Sequence, residues 1–347
     1  MTEATQYQSI AELVAAGIVR IAEKPPHNWR DLDAVPSYTV PLLAEDYPAK
    51  TAVMWNAVYE RLGMSDRNTM MIAAPKNAAV ILSAFRRDPK YRGGGCGIGF
   101  KEVVVPLLND VTPNAKAIGA VNIIKRTAKD RLVGANTDGL GYAIALEDLF
   151  VQRRDESLGG KKVLILGAGG SASAIAFALA ERGAELTILN RTEERAHELA
   201  ERLNRYRERT AAVAGGRNRI ADALPRQDAV ISAIDDPNSP LDRYSTLGTM
   251  ALPVTDEAVG RNLEESRALL TAATPSLVVS DIRIRAEETA MLHQARELGL
   301  VILNGIPMVV NQGIEAFWWL YGDELSARGL RKEDVAAIMR EAAAVTT

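Results

Sequence analysis

The clearest pattern along the chain is a continuous apolar run, Val163–Leu166, which charged residues precede and Gly167 follows. A run of this kind is typical of a central parallel strand that is buried on both faces. The alanine-rich segment Ala172–Arg182 predicts a helix, and the apolar run Leu186–Leu189 predicts a second strand. Together these segments form a β-α-β unit of about 30 residues, whose crossover is expected to be right-handed.

Further apolar runs continue this alternation towards the carboxyl terminus. They lie at Ala229–Ala233, Leu277–Ser280 and Leu300–Leu303, with helical stretches between them. Strands that alternate with helices predict a doubly wound, mainly parallel sheet of the Rossmann type.

A different pattern precedes this region. Apolar runs occur at Met70–Ala74 and Glu102–Val105, helical patterns at Thr51–Gly63 and Asn77–Arg87, and glycines cluster at Gly93–Gly97. This mixture predicts a second, smaller α/β domain.

The predicted fold class is therefore α/β with two domains. We expect an N-terminal extension over 1–36, the smaller α/β domain over 37–138, and a Rossmann-type domain over 139–311. The helical patterns of residues 312–347 predict that this segment returns to the smaller domain. Charged or loop-like stretches at 150–161 and 203–227 are predicted insertions.

Composition narrows the class of protein. Of the 347 residues, 47% are hydrophobic and 24% charged, which is typical of a folded globular protein. The formal net charge of -3 gives no reason to expect nucleic-acid binding. One cysteine, Cys96, permits no internal disulfide, and three scattered histidines do not suggest a metal cluster. Without a signal-like or membrane-spanning segment, we expect a cytoplasmic protein with no membrane partner, as a monomer or homodimer.

The turn inside the β-α-β unit fits the dinucleotide-binding pattern G-x-G-x-x-A, from Gly167 to Ala172. Gly167 permits the tight turn, Gly169 permits a pyrophosphate to approach the backbone, and the phosphates face a helix N-terminus. The predicted cofactor contacts in this loop are Gly167, Ala168, Gly169, Gly170 and Ser171. The alternative is a glycine-rich turn that binds nothing.

The end of the second strand indicates which dinucleotide is bound. NAD-binding proteins usually place an Asp or Glu there, whereas this chain has Asn190-Arg191-Thr192, with Arg195 one turn later. An arginine attracts a 2′-phosphate that a carboxylate would repel, so we expect NADP in preference to NAD. The alternative is that both arginines form surface ion pairs with the neighbouring glutamates.

Several motifs in one order resemble the shikimate dehydrogenase family, from about Thr51 to Gly322. The segments Ile118–Asn122 (IGAVN) and Gly134–Gly139 (GANTDG) resemble the family's IGAVNT and G-x-NTDG motifs. Asp281–Leu292 and Asn304–Phe317 resemble its last strand and closing helix. The resemblance implies a two-domain, NADP-dependent dehydrogenase acting on a CH–OH group. It also implies that 37–138, with the returning segment 312–347, is the substrate-binding and catalytic domain, and that 139–311 is the NADP-binding domain.

The resemblance also implies catalytic residues. Lys101 occupies the position of the family's catalytic lysine, and Asp138 that of the paired aspartate. Oxidation of a secondary alcohol requires a proton acceptor within hydrogen-bond reach as hydride leaves the carbon. We expect Lys101 to be that acid/base, with burial lowering its pKa and Asp138 orienting it and opposing the shift. The alternative is a surface lysine and an aspartate in a turn or cap.

The predicted substrate pocket departs from the family pattern. Asn122 and Gln312 match positions that bind ring hydroxyls of the substrate, although backbone groups are alternative partners for both amides. Ala49 and Thr51 stand where the family has two carboxylate-binding serines, and Trp55 replaces a histidine.

Other positions of the pocket are altered as well. Gly97 and Gly99 replace a substrate-binding threonine and a proline, and Ile284 replaces a tyrosine near the nicotinamide. We expect Gly95, Gly97 and Gly99 to enlarge the wall beside the catalytic lysine. Lys50 is a candidate for binding a substrate carboxylate, with a solvent-facing lysine as the alternative.

These changes lead to a functional prediction. Since each unpaired polar group in a buried site costs about 1–3 kcal/mol, several altered contacts indicate a substrate other than shikimate. We expect an NADP-dependent oxidoreductase that interconverts a ring hydroxyl and a ketone of a small cyclic hydroxy carboxylic acid. One alternative is a true shikimate or quinate dehydrogenase. Another is a non-catalytic sensor of NADPH or a metabolite, which the retained Lys101 and Asp138 oppose.

Overall fold

The computed structural model describes residues 7–97, 99–127, 130–234, 243–284 and 287–344. The start of the predicted N-terminal extension, residues 1–6, and residues 285–286 of the predicted last-strand motif lie outside these ranges. The chain divides into two compact units, a first unit of Met1–Gly141 with Val309–Thr347 and a second unit of Tyr142–Met308. Within the described ranges, no helix is long and apolar enough to span a membrane.

The helices are α1 (Ile10–Ala15), α2 (Thr51–Arg61), α3 (Ala78–Arg87), α4 (Pro113–Ile118), α5 (Asp138–Arg154), α6 (Gly170–Glu181), α7 (Glu193–Arg207), α8 (Ile220–Ala223), α9 (Asp256–Ala272), α10 (Ala290–Glu297), α11 (Ile306–Ala327) and α12 (Lys332–Ala344). The strands are β1 (Val19–Ile21), β2 (Ser37–Thr39), β3 (Leu42–Leu43), β4 (Asp66–Asn68), β5 (Met71–Ala73), β6 (Tyr91–Gly95), β7 (Asp110–Val111), β8 (Ile123–Thr127), β9 (Arg131–Ala135), β10 (Lys162–Leu166), β11 (Glu185–Asn190), β12 (Ala212–Gly216), β13 (Ala229–Ser232), β14 (Val278–Asp281) and β15 (Val301–Leu303).

The second unit is built on a parallel six-stranded sheet with the order β12-β11-β10-β13-β14-β15. The order reverses beside β10, which is the strand order of the Rossmann fold. Residues Val163–Leu166 of β10 are fully buried because the strand is central and both faces of the sheet are covered. The predicted α/β fold class with a doubly wound sheet is confirmed.

The edge strand β12 lies within the stretch 203–227, for which an insertion was predicted. That prediction is wrong, because this stretch completes the sheet by pairing β12 with β11. The strand has the sequence Ala-Val-Ala-Gly-Gly, which contains too few large apolar residues to stand out as a buried run. The stretch 150–161 is also partly regular, since α5 continues to Arg154.

The first unit contains a mixed six-stranded sheet, β4-β2-β6-β8-β9-β7, and a three-stranded sheet, β1-β5-β3. The apolar run Glu102–Val105 does not form a strand. It forms turns that lead into a short 3₁₀ helix, Val105–Leu107. Pro106 has no backbone N–H for a strand ladder, which explains why this apolar run is not extended.

Both ends of the described chain pack into the first unit. In the N-terminal segment, β1 pairs antiparallel with β5, and Ile10 and Leu13 of α1 are fully buried in its core. Near the other end, α12 packs against α2, where an Arg61 guanidinium nitrogen lies 2.9 Å from a Glu341 carboxylate oxygen.

Candidate active site

A cavity in the first unit is bordered by both predicted catalytic residues. Its polar lining consists of Tyr47, Thr51, Lys101, Asn122, Asp138 and Gln312. Apolar side chains, among them Leu43, Trp55 and Met70, form much of the remaining wall. This combination of apolar walls and a few polar groups is typical of a small-molecule site.

The structure brings Lys101 and Asp138 into direct contact. The Lys101 ammonium donates a hydrogen bond to Oδ2 of Asp138, and the two side chains are 31% and 7% exposed. Asp138 is the first residue of α5, and its backbone N–H donates to Oδ1 of Asn136 at 3.1 Å. The helix N-terminus favours the negative charge of this carboxylate.

The pKa of Lys101 differs from the expectation. Burial acts to lower it, but the charge of Asp138 and the hydrogen bond between them outweigh burial, so the pKa of Lys101 is raised. The expected lowering is therefore wrong for the chain without ligands. At neutral pH Lys101 is an ammonium group that can give a proton to an oxygen in the cavity.

Asn122 connects Asp138 of the lysine–aspartate pair to Gln312 through hydrogen bonds. Its Nδ2 donates to Oδ1 of Asp138 and to Oε1 of Gln312, both at 2.8 Å, and its Oδ1 accepts from the N–H of Thr137 at 2.8 Å. The polar atoms of this side chain are thus engaged within the chain. Asn122 holds Asp138 and Gln312 in position, while Nε2 of Gln312 has no acceptor among the described residues.

The residues at and beside the positions of the family's two serines and histidine make different contacts from one another. Trp55 is buried, and its Nε1 donates to the carbonyl oxygen of Gly313 at 3.1 Å, so this side chain ties α2 to α11. Thr51, the first residue of α2, lines the cavity. Lys50 is not among the lining residues, and its ammonium donates to the carbonyl oxygen of Ala343 at 3.3 Å.

The glycines before Lys101 do not enlarge the pocket as expected. A Cβ on Gly97 would lie 2.1 Å from Cδ2 of Leu43, so the leucine already fills that space. A Cβ on Gly99, whose φ is +84°, would lie 2.8 Å from Cβ of Ala44. The expectation of an open wall is wrong at Gly97 and Gly99, because residues of β3 and the segment after it pack against these two glycines.

Sequence reasoning missed Tyr47, which lies in the irregular segment between β3 and α2. Its side chain lines the cavity and is 36% exposed. Burial raises the pKa of Tyr47, with the charge of Lys101 opposing and that of Asp138 adding to the shift. An aromatic residue in an irregular segment belongs to no periodic pattern or motif, so no signal in the sequence singles it out.

The glycine loop of the second unit fits the phosphates of a dinucleotide. Gly167 has a φ of +119°, and a Cβ there would lie 2.7 Å from the carbonyl oxygen of Ala233, so a glycine is required. Gly169 caps α6, and no atom lies within 4 Å of its Cβ position. A phosphate can therefore approach the backbone N–H groups at this helix N-terminus.

The predicted 2′-phosphate residues follow β11. Nδ2 of Asn190 donates to the carbonyl oxygen of Thr192 at 2.9 Å, which tightens the turn into α7. Glu193 contacts His197, with 3.4 Å between the carboxylate oxygen and the ring nitrogen. In the described ranges Arg195 has no carboxylate partner, so for Arg195 the alternative of a surface ion pair finds no support there.

Arg217 was also missed, because β12 was not recognised. The register pairs Gly216 with Asn190, so Arg217 follows β12 at the same edge where Arg191 follows β11. Burial and the positive charge of Arg191 lower the pKa of Arg217 to about 10. Its Nη2 donates to the carbonyl oxygen of Gly248 at 3.2 Å, while its buried Nη1 has no acceptor within the part of the chain that the structure describes.

A Rossmann sheet with an open glycine loop, and a separate unit with a lysine–aspartate pair in a cavity, are features of a dinucleotide-dependent oxidoreductase. Family comparisons agree. Residues 150–276 match the family described as shikimate/quinate 5-dehydrogenase, and residues 48–124 match the shikimate dehydrogenase substrate binding domain.

Individual proteins give the same result. The NADP(+) shikimate dehydrogenase of Desulfitobacterium hafniense is 30% identical over 280 residues, covering 81% of this chain and 90% of that protein. The crystal structure of shikimate dehydrogenase from Aquifex aeolicus is 25% identical with a TM-score of 0.66, covering 89% of this chain and 99% of that one. Ligand-free 5-ketofructose reductase of Gluconobacter sp. is 26% identical with a TM-score of 0.64, covering 88% and 98%. The chain belongs to the shikimate dehydrogenase family, as the motifs predicted.

Proposed function

We propose that this NADP-dependent dehydrogenase interconverts a ring hydroxyl and a ketone of a small cyclic hydroxy carboxylic acid other than shikimate. The observation that carries the proposal is the Lys101–Asp138 pair in a cavity that lacks side-chain hydroxyl groups at residues 49 and 97, where the family pattern has them. Enzymes of the same fold differ in substrate, since one structural neighbour is named a 5-ketofructose reductase.

In this proposal Lys101 is the acid/base and Asp138 its partner. NADP, when bound, supplies or takes up the hydride. In the direction of reduction, the Lys101 ammonium gives a proton to the ketone oxygen, and contact with Asp138 keeps the ammonium charged and oriented. In the direction of oxidation, the amine must first be neutral to take up the hydroxyl proton, which the raised pKa of Lys101 disfavours at neutral pH.

The residues of the cavity wall favour a substrate other than shikimate. The hydroxyl groups that the family pattern places at residues 49 and 97 are absent, and Leu43 fills the space beside Gly97. A substrate that needs those hydrogen bonds loses about 1–3 kcal/mol for each polar group left unpaired. Thr51, Asn122 and Gln312 remain as proposed substrate-binding or substrate-positioning residues, whereas the observed bond of Lys50 to α12 does not favour such a role.

We propose that NADP binds to the second unit, at the carboxyl edge of β10 and β11. The open backbone at Gly169 suits the pyrophosphate, and Arg191 with Arg195 suits the 2′-phosphate. The division of labour predicted from the sequence, substrate at 37–138 with 312–347 and cofactor at 139–311, is part of this proposal.

The proposal is tested by NADP(H)-dependent turnover of shikimate, quinate, aminoshikimate, their dehydro forms and 5-ketofructose, followed by NADPH absorbance. We expect a compound other than shikimate or quinate to have the highest kcat/KM. Lys101→Ala should lower kcat about 100-fold or more, with an unchanged Kd for NADP+. Lys116→Ala, an exposed lysine in α4, is the matched control. A chain that turns over none of these compounds contradicts the proposal.

A second candidate is true shikimate or quinate dehydrogenase activity. It is favoured by the name of the 30% identical relative, which is a shikimate dehydrogenase. Steady-state rates decide between the two candidates, since a kcat/KM for shikimate or quinate above that of every other compound supports the second. The non-catalytic alternative is set aside, because the chain is a dehydrogenase.

A further inference from the structure

The cavity contains a hydroxyl group that the family pattern does not include. Tyr47 lines the same cavity as Lys101 and Asp138, and it is close enough to both for their charges to act on its phenol. In the described residues its hydroxyl has no hydrogen-bond partner. Because burial raises its pKa, the phenol is protonated at neutral pH and can donate a hydrogen bond.

This hydroxyl lies beside the position of the absent threonine. Oη of Tyr47 is 3.6 Å from the point where a Cβ on Gly97 would stand. The end of the Leu43 side chain lies at that point, with its Cδ2 at 2.1 Å, so a side chain at residue 97 fits only if the leucine moves. In the family pattern, the corresponding hydroxyl belongs to a threonine at position 97, shortly before the catalytic lysine. In this chain, Tyr47 offers a hydroxyl there from the segment after β3.

The segment that carries Tyr47 is held by the N-terminal part of the chain. The Asp46 carboxylate accepts from the backbone N–H groups of Glu23 at 2.9 Å and Lys24 at 3.2 Å, and from Nη1 of Arg20 at 3.2 Å. Its side chain is only 9% exposed. These three bonds fix the residue next to Tyr47, and they come from a segment that precedes the family match at 48–124.

The N-terminal segment also contacts Met70 and Leu43, two other lining residues of the same cavity. The N–H of Ala22 donates to the carbonyl oxygen of Met70 at 2.8 Å, and Oδ1 of Asn28 accepts from the N–H of Met70 at 2.7 Å. Met70 and Leu43 both line the cavity and pack in one apolar cluster with Ala22. Residues 20–28 therefore support, by hydrogen bonds and apolar packing, the part of the cavity wall that contains Tyr47.

We propose that Tyr47 is a substrate-binding residue that donates its phenolic hydrogen to an oxygen of the substrate, in place of the threonine hydroxyl absent at Gly97. Asp46 is a positioning residue, through which the N-terminal segment holds Tyr47 in the cavity. The acceptor is a ring hydroxyl or carboxylate oxygen near the Lys101 ammonium. This inference rests on the proposed function, since it assigns a further contact to the same substrate.

The direct test compares Tyr47→Phe with Tyr206→Phe, using the panel compound that has the highest kcat/KM. Tyr206 is an apt control because it is also 36% exposed, but its hydroxyl bonds to Glu181 in the second unit. We expect Tyr47→Phe to raise KM about tenfold or more with kcat changed far less, because a contact made equally in ground and transition states affects binding. Tyr206→Phe should leave both constants unchanged, and neither variant should alter the Kd for NADP+.

The outcomes separate the two proposals. Equal KM values for the wild-type chain and Tyr47→Phe overturn the inference and leave the proposed function standing. A wild-type chain that turns over no panel compound overturns both.

The role of Asp46 is tested by a double-mutant cycle on the same compound. Asp46→Ala should raise KM, but Asp46→Ala combined with Tyr47→Phe should have the KM of Tyr47→Phe alone, because the carboxylate acts through the tyrosine. Asp46→Asn keeps an acceptor oxygen and should restore part of the affinity. Thermal unfolding of each variant verifies that the chain is folded. Additive effects of the two substitutions on KM would overturn the positioning role.

Discussion

The ammonium of Lys101 loses hydration where it is buried, and contact with the Asp138 carboxylate more than compensates for that loss. Since the pKa of Lys101 in the folded chain lies above the ordinary lysine value, the pair contributes stability at neutral pH. That contribution is complete below the ordinary pKa and disappears as the pH rises through the raised value. The protonated form is therefore the resting form of this group.

The pH dependence of the two reaction directions should differ accordingly. Reduction requires the ammonium, so its rate should stay level through neutral pH and fall only in the alkaline range. Oxidation requires the neutral amine, so its rate should increase with pH over the same interval. In Asp138→Asn the charge that raises the pKa of Lys101 is gone, and the alkaline limb of reduction should move to lower pH. Steady-state pH profiles measure both limbs, and an unmoved limb in Asp138→Asn contradicts this assignment.

Cys96 also lines the cavity, but burial raises the pKa of its thiol to about 12, against the opposing charge of Lys101. The thiolate fraction at pH 8 should then be about a thousandfold smaller than for an ordinary cysteine. We expect iodoacetamide to modify Cys96 rapidly in urea and very slowly in the native chain, as followed by intact mass. Rapid labelling of the native chain would show that this wall is open to solvent.

Single residues of the site were predictable where a motif carries them. Lys101 and Asp138 stand 37 positions apart in the chain, and the motif resemblance, not their spacing, indicated that they meet. Tyr47 belongs to no motif, and its position depends on Asp46 bonding to a distant segment. The packing of Leu43 against Gly97 could not be predicted from the sequence either. A glycine indicates that space is available, but it does not indicate which neighbouring side chain fills that space.

Among the secondary-structure elements, β12 adds an arginine next to the proposed 2′-phosphate site. It brings Arg217 to the edge of the sheet beside Arg191, with two positive charges close enough to lower the pKa of Arg217. Two neighbouring cations repel each other, and a doubly charged phosphate between them would relieve that repulsion. We therefore expect β12 to strengthen the preference for NADP at the proposed 2′-phosphate site.

Substitution of Arg217 should change that preference. Arg217→Met should raise the Kd for NADP+ about tenfold and leave the Kd for NAD+ unchanged, because charge-assisted bonds to phosphate contribute about 1.5–3 kcal/mol. The Kd for NAD+ reveals any structural damage from the lost bonds to Thr246 and Gly248. Arg226→Met, which removes an exposed arginine of the same unit, is the control. A parallel loss of affinity for both dinucleotides would indicate a structural role only.

The elements differ in how much the sequence reveals. β10 ends in a continuous run of four buried apolar residues, and β11 contains the buried apolar residues Leu186, Ile188 and Leu189, so the pattern alone predicted both strands. β12 is an edge strand of small residues packed under α7, and its pattern carries no comparable signal. The run at Glu102–Val105 was apolar enough for a strand, but the proline that follows it ends any ladder.

On the scale of the whole chain, residues near both ends contribute to one unit. The N-terminal helix and strand, together with α11 and α12, complete the unit that contains the cavity. All four tryptophans, at positions 29, 55, 318 and 319, lie in that unit, so tryptophan fluorescence follows its unfolding.

The N-terminal helix should therefore be necessary for stability. Leu13 is fully buried, and Leu13→Ala should lower the free energy of unfolding by about 2–5 kcal/mol through lost burial and the cavity left behind. Val103→Ala, at a valine of the same unit that is 41% exposed, is the control and should change it little. Urea unfolding followed by tryptophan fluorescence gives both values. A Leu13→Ala variant as stable as the wild type would mean that the extension is only loosely attached.

The contact between Leu43 and Gly97 constrains how this pocket can change over evolutionary time. A threonine at position 97 meets the end of the Leu43 side chain at 2.1 Å, so the leucine must turn away or be shortened before the threonine fits. Shortening of the leucine leaves a void, which costs stability. A hydroxyl group at position 97 therefore disturbs the packing around Leu43, and changes at the two positions are expected to be coupled.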